Sequence, residues 1–205
     1  MLPALAKIKT ERHHAAMPFA EIPSFMRELR QQHGAAARAL EFLVLTGARS
    51  GEVLKAQTGE INREALVWTI PAEHTKTNAA LRIPLCKRSL ELAINSGGGF
   101  LFPGRHGAAL GKMRMDLLLR RMGYRGRATP HGFRSTFRDW AAEQTNFPNH
   151  VVEMALARAI GSKVEAAYRR GDLFDKRRRL MGAWAAYCAS KPAAKDRNVV
   201  SLRSA

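Results

Sequence analysis

Apolar residues recur at helical spacing along most of this chain and at strand spacing in one short region. Phe19, Ile22, Phe25, Met26 and Leu29 fall on one face of residues 19–32, and Gly34 provides the stop. A second apolar run over 35–46 carries Leu40, Phe42, Leu43 and Leu45, so the two helices should pack against each other. Thr46-Gly47 breaks the second helix, and Ser50 can cap a short third one through Glu52, Val53 and Leu54. Residues 65–70 and 80–85 are β-rich and flank a polar stretch at 73–78, which predicts a hairpin with a polar loop. A short helix over 88–94 and a buried extended piece over 100–103 follow. Met113, Leu117, Leu118 and Met122 would form the apolar side of the next helix; Phe133, Thr136, Phe137 and Trp140 form that of the one after. Val151, Val152, Met154, Ala155 and Leu156 lead a further helix to Arg158. Leu180, Met181, Trp184, Tyr187 and Cys188 line a last one over 175–190. The pattern predicts an α+β chain, mainly α-helical, with one small antiparallel hairpin. The glycines at 97–99 lack the strand and helix of a phosphate cradle and read as a flexible turn.

Composition narrows this to one domain with a polyanionic partner. A chain of 205 residues, 46% hydrophobic, can bury roughly 70% of its unfolded surface in a single core. Lys and Arg total 34 against 17 Asp and Glu, a net charge of +17, well beyond what solubility requires. The basic residues are densest between Arg105 and Arg138, with Asp116 the one acidic residue there. Cys86 and Cys188 have neither metal spacing nor the density of a disulfide scaffold, and read as packing residues in a reducing compartment. No apolar run approaches the ~20 residues of a membrane span, and the basic, histidine-containing N-terminus lacks a signal-peptide pattern, so the expectation is a soluble cytoplasmic protein. Residues 1–17 read as a linker, 18–190 as the domain and 191–205 as a polar tail.

The chemistry concentrates in residues 129–140. At ~100° per residue His131, Arg134 and Arg138 fall on the side opposite the apolar stripe. Thr129 is the expected N-cap and Pro130 suits the first turn, where unpaired backbone N–H groups favour an anion. Taken alone, the same pattern also describes the wet face of a surface helix. Arg49 beside the turn at Gly47, and Lys76 on the hairpin loop, are likewise ordinary solvated positions when read singly. No clustered carboxylates suggest a metal site.

Three stretches in order change that reading: Thr46-Gly47-Ala48-Arg49-Ser50-Gly51-Glu52-Val53, then Thr129-Pro130-His131-Gly132-Phe133-Arg134, then Ala166-Ala167-Tyr168-Arg169-Arg170. Together they resemble the catalytic domain of tyrosine recombinases, especially prophage-type integrases. The resemblance runs from about Met17 to Ser190, through residues 67–73, 82–85, 101–104 and the basic helix at 177–181. It implies the tyrosine recombinase catalytic-domain fold, with 18–190 as the catalytic domain and Tyr168 as nucleophile. It further implies phosphate contacts from Arg49 and Arg134, His131 as base and Lys76 as acid, His74 being the weaker hairpin candidate. Arg158 stands where the family usually has His or Trp, in Leu156-Ala157-Arg158. Arg114, Arg120, Arg121, Arg125, Arg127 and Arg138 would face the DNA backbone. The implied partners are double-stranded DNA attachment sites and other recombinase protomers, as a tetrameric synapse, in a bacterial cytoplasm and at its nucleoid. The resemblance implies no cofactor and no metal, and a role in integration or excision of a mobile element. Family members usually carry an N-terminal helical DNA-binding domain, and Arg49 comes too early to leave room for one. Together with Arg158, this keeps open a catalytically impaired remnant that only binds DNA. A type IB topoisomerase-like enzyme is a further alternative.

Overall fold

The computed structural model describes residues 15–75, 78–94, 98–158 and 171–191. In chain order it contains α1 (Ile22–Arg30), α2 (Ala35–Thr46), α3 (Ser50–Lys55), β1 (Ile61–Asn62), β2 (Val67–Ile70), β3 (Leu81–Pro84), α4 (Lys87–Leu92), α5 (Arg114–Arg121), α6 (Gly132–Gln144), α7 (Asn149–Ala155) and α8 (Phe174–Cys188). The core forms around α2, which touches α1, α3, α4, α5 and α8. Residues Ala39 through Thr46 of this helix are all buried, as expected of a helix apolar on nearly every side. Trp184 of α8 donates its indole N–H to the Val44 carbonyl at 2.8 Å, locking the last helix onto this centre.

One buried charge lies on α2. Glu41 accepts from Arg30 Nε at 2.8 Å and from Arg88 Nε and Nη2 at 2.9 and 2.8 Å, tying α1 and α4 to the central helix. Burial pushes the Glu41 carboxyl up, but the hydrogen bonds from Arg88 and Arg30 outweigh it and hold it below its ordinary value. Both arginines remain partly in water, so removing the acid strands neither cation. Glu41→Ala is therefore expected to cost on the order of 2 kcal/mol at neutral pH. Because the folded pKa is depressed, this contribution is fully present above the unfolded value of 4.5 and is lost as pH falls through the folded one. Urea titrations of parent and variant at pH 7 and pH 3 should show the gap closing at the lower pH.

The hairpin forms as the sequence predicts, with β2 and β3 antiparallel in the register Trp68↔Ile83. Trp68 is fully buried and its ring sits 5.2 Å from that of Phe42. Strand β1 pairs on the other side of β2; two residues are too short to give a periodic signal.

Three local expectations are corrected. On α5 the buried face is Met115, Leu118 and Leu119, whereas Met113 and Leu117 are 55% and 48% exposed. This helix offered two possible apolar faces, and contact with α2 selects the one containing Met115. Ser50 is the first residue of α3 rather than its cap: Arg49 is the N-cap, and Glu52 Oε2 accepts its backbone N–H at 2.8 Å. Helix α6 begins at Gly132 rather than Pro130, with His131 instead of Thr129 at its N-cap, while Thr129 Oγ1 accepts from Gly132 N at 3.0 Å just ahead of it.

Residues 15–17 lie against the start of α6. Thr129 N donates to the Ala15 carbonyl at 3.1 Å, Thr136 Oγ1 donates to the Met17 carbonyl at 2.6 Å, and Met17 is buried. A Cβ on Gly132 would collide with the Ala15 carbonyl. Gly132→Ala is thus expected to destabilise by ~1–3 kcal/mol, read as a lower Tm. Among the described residues, no helix is long and apolar enough to cross a membrane.

Candidate active site

Two turns build the site. Helix α2 ends at Gly47, whose φ of 63° is the left-handed conformation that glycine tolerates, and the chain turns there to deliver Arg49 at the N-cap of α3. Helix α7 ends at Leu156, and Ala157, at φ 48°, turns the chain to Arg158. Arg134, in the first turn of α6, reaches between these turns: Nη1 donates to the Gly47 carbonyl and Nη2 to the Leu156 carbonyl. Arg49 bonds beside it, with Nη1 to Glu52 Oε1 at 2.8 Å and Nη2 to the Ala157 carbonyl at 2.8 Å. The two guanidiniums, one from the start of α3 and one from α6, therefore meet on the turn after α7, where they take the adjacent Leu156 and Ala157 carbonyls, and Arg134 also holds the turn at Gly47.

Arg134 is only 3% exposed, which corrects the expectation that it shares an open face with His131 and Arg138. Its place on α6 borders the apolar stripe, and the ends of α2 and α7 close over it. Its Nε is the one buried side-chain N or O atom without a hydrogen-bond partner among the described residues. Burial above all, then repulsion from Arg49 and Arg158, pulls its pKa down to about 10, against partial support from Glu52 and Glu153. It thus remains a cation at neutral pH, in surroundings that would gain from an added anion.

The remaining residues sit around this pair. His131 is exposed at the N-cap of α6 and lines a cleft of about 440 Å³ with Arg49, Glu52, Lys55 and His74. Glu153 of α7 lies between two arginines, accepting from Arg138 Nε at 2.8 Å and standing 3.9 Å from Arg158 Nη1. His74 is held to the sheet: its Nδ1 is 3.2 Å from Glu60 Oε1, while Trp68 Nε1 donates to Glu60 Oε2 at 2.8 Å. Lys76 and Tyr168 lie outside the described residues. Arg114, Arg120 and Arg121 are exposed on α5, and Arg125 and Arg127 are exposed in the turn after it. Arg127 is partly committed, with Nη2 2.6 Å from Glu21 Oε2 and its guanidinium over the Tyr124 ring. Reading the sequence missed Glu52 and Glu153 as the acids that orient the arginines. The three-residue spacing from Arg49 to Glu52 was a signal for the first, since an N-cap and its N3 acid face each other.

Comparison with known proteins identifies the family. The sequence model of the phage integrase family matches residues 16–172. Prophage integrase IntZ of Escherichia coli (strain K12) is 30% identical over 186 residues, covering 87% of this chain and 46% of that protein. The integrase of Shigella phage Sf6 is 27% identical over 185 residues, covering 85% and 48%. The chain thus spans about half the length of these curated relatives. Among solved structures, the integrase from mycobacterium phage Brujita superposes with a TM-score of 0.61 at 14% identity, covering 94% of this chain and 63% of that one. The XerH site-specific recombinase bound to difH substrate, in a pre-cleavage complex, gives 0.55 at 17% identity, covering 77% and 51%. Since the family model covers more than half of the chain, from residue 16 to 172, this chain, with its tyrosine recombinase catalytic-domain fold, belongs to the phage integrase family.

Proposed function

We propose that the chain is the catalytic part of a site-specific DNA recombinase that integrates or excises a mobile element through a 3′-phosphotyrosyl intermediate. The observation that carries this reading is that Arg49 and Arg134 donate to adjacent carbonyls of the turn after α7, with a buried donor to spare on Arg134 and His131 beside Arg49 on the neighbouring cleft. Two forked guanidiniums match the non-bridging oxygens of a pentacoordinate phosphorus, whose charge they stabilise in place of a metal. In the proposed step the Tyr168 oxygen attacks phosphorus and the bond to the 5′ oxygen breaks. His131 takes the phenolic proton, and Lys76 protonates the departing 5′ oxygen. The new ester keeps the energy of the old one, so a 5′-hydroxyl from another strand can reverse the step without an external energy source.

The proposed partner is double-stranded DNA, gripped at its backbone by Arg114, Arg120, Arg121, Arg125, Arg127 and Arg138, with exchange in a tetramer of protomers on paired attachment sites in the bacterial nucleoid. The +17 charge and the difH-substrate-bound state of the XerH site-specific recombinase support it. The direct test is incubation with a nicked suicide duplex of the element's end, followed by a denaturing gel. A covalent protein–DNA adduct that forms in EDTA is expected; its absence would leave only a DNA-binding module. That second reading is favoured by one observation, that Arg158 is drawn toward Glu153 where a flat ring is the family's usual residue. A permanent charge at this position binds ground-state phosphate about as well as the transition state, so it would raise affinity without lowering the barrier. Arg158→His is accordingly expected to raise single-turnover cleavage ~10-fold, about 1.4 kcal/mol of barrier, with DNA affinity unchanged or slightly lower. No acceleration would mean that Arg158 already does the work of the ring.

A further inference from the structure

Glu60 ends the short turn Thr58–Glu60 ahead of β1, and its side chain is 9% exposed with both oxygens engaged. Oε2 accepts the indole N–H of Trp68 on β2 at 2.8 Å, and Oε1 lies 3.2 Å from His74 Nδ1. A carboxylate can only accept, so the His74 ring carries a proton on Nδ1. Trp68, fully buried, thus fixes the carboxylate, and the carboxylate fixes the imidazole. The chain is held on the far side of His74 as well: Thr75 is buried, with its Oγ1 2.9 Å from the Ala79 carbonyl across the base of the hairpin loop.

Tying the hairpin to β1 uses only one edge of the ring. With Nδ1 turned to Glu60, Nε2 is the nitrogen left over, and it has no hydrogen-bond partner among the described residues. The His74 side chain lines the same cleft as Arg49 and His131. The other charged groups on that cleft are Lys55, Glu52 and Glu73, and Glu52 is already spent on the guanidinium and the backbone N–H of Arg49. A fixed ring with one free nitrogen therefore stands beside the cations to which the cleft owes its attraction for an anion.

From this we infer that His74 is a further phosphate-binding residue of the cleft, with Glu60 as its positioning residue. The imidazolium donates from Nδ1 to Glu60 and from Nε2 to a backbone phosphate oxygen of DNA. A neutral ring with its proton on Nδ1 would turn the Nε2 lone pair toward that oxygen, so the contact forms only after Nε2 takes a proton from solvent. The inference rests on the reading of this cleft as a DNA phosphate site.

The full 205-residue chain, labelled with nitrogen-15 in its histidine rings, is followed by NMR at pH 7.5 as a short duplex of random sequence is added, and His74→Gln identifies the signals. The free chain should show His74 protonated on Nδ1, Glu60→Gln should mix the two tautomers, and saturating duplex should protonate Nε2 in the parent. Binding titrations at several salt concentrations complete the test. At pH 6, His74→Gln should weaken binding ~10-fold and reduce the slope of log affinity against log salt by about 0.9, the share of one phosphate contact. Because the imidazolium is the binding form, this difference between parent and variant should shrink as the pH is raised to 8. Taking the difference removes the contribution of His131, which both chains keep. Glu60→Gln adds a positive charge to the protein, yet should bind the duplex more weakly at pH 6. An Nε2 signal that ignores saturating duplex, or a His74→Gln chain with the parent's affinity and salt slope at pH 6, would overturn the inference. So would a Glu60→Gln chain that binds more tightly than the parent, or variants whose binding falls only in step with their folded fraction. A parent chain that does not bind the duplex at all overturns the DNA reading itself, and this inference with it.

Discussion

Tyr168→Phe is expected to abolish the covalent protein–DNA adduct completely while leaving DNA affinity within about twofold. The variant removes one oxygen, the atom that would form the new ester. A phenol of ordinary pKa near 10 is only ~0.1% ionised at neutral pH, so the step depends on a base to take its proton and on cations to stabilise the charge that develops. Those groups remain in the variant, and so does the basic surface. Affinity that comes mostly from displaced counterions does not register the loss of one hydroxyl, and should fall steeply with salt in parent and variant alike. The measurement is a denaturing gel after incubation with suicide DNA, paired with a binding titration at two salt concentrations. An adduct that persists in Tyr168→Phe would assign the nucleophile to another residue.

The second large effect is expected at the paired arginines, and the structure separates them. Arg49→Ala should lower cleavage ~10²-fold or more, the scale for removing a preorganised donor to a developing oxyanion. Its side chain is 24% exposed, and Glu52 keeps its bond to the Arg49 backbone N–H, so Tm should fall only slightly. Arg134→Ala should match that loss and add another. With Arg134 gone, the Gly47 and Leu156 carbonyls lose their donors in a buried setting, at a cost of ~1–3 kcal/mol for each group left unsatisfied. Single-turnover rates and melting curves for both variants decide the matter. If the activity lost in Arg49→Ala merely follows a loss of folded protein, Arg49 is a structural residue.

Much of the architecture could be read from local pattern, because most elements have one face that must be buried. The spacing of Ile22, Phe25, Met26 and Leu29 placed α1, the apolar run to Thr46 followed by Gly47 placed α2 and its end, and β-rich runs around a polar loop placed the β2–β3 hairpin. The failures occur where local pattern allows two answers. Helix α5 had apolar residues on two sides, and only contact with α2 decides that Leu119 goes inside while Leu117 stays out.

The chemistry divides in the same way. Residue identities and their order along the chain, Arg49, then His131 and Arg134, then Tyr168, were enough to point to phosphate chemistry and to one family, because a forked cation, a base and a phenol are recognisable by type. Their environments were not. Helical periodicity put Arg134 with Arg138 on a wet face, yet the ends of α2 and α7, 87 and 22 residues away in sequence, close over Arg134 and pull its pKa down to about 10. Local pattern assigned no role to Glu52 or Glu153; folding sets one against Arg49 and the other between Arg138 and Arg158. Arg177 looked like one of a basic run until β3 came within reach of it. Burial, dielectric surroundings and hydrogen-bond partners are properties of what lies across a gap in space. Sequence periodicity specifies which face of a helix turns inward, but only the tertiary structure specifies what that face meets.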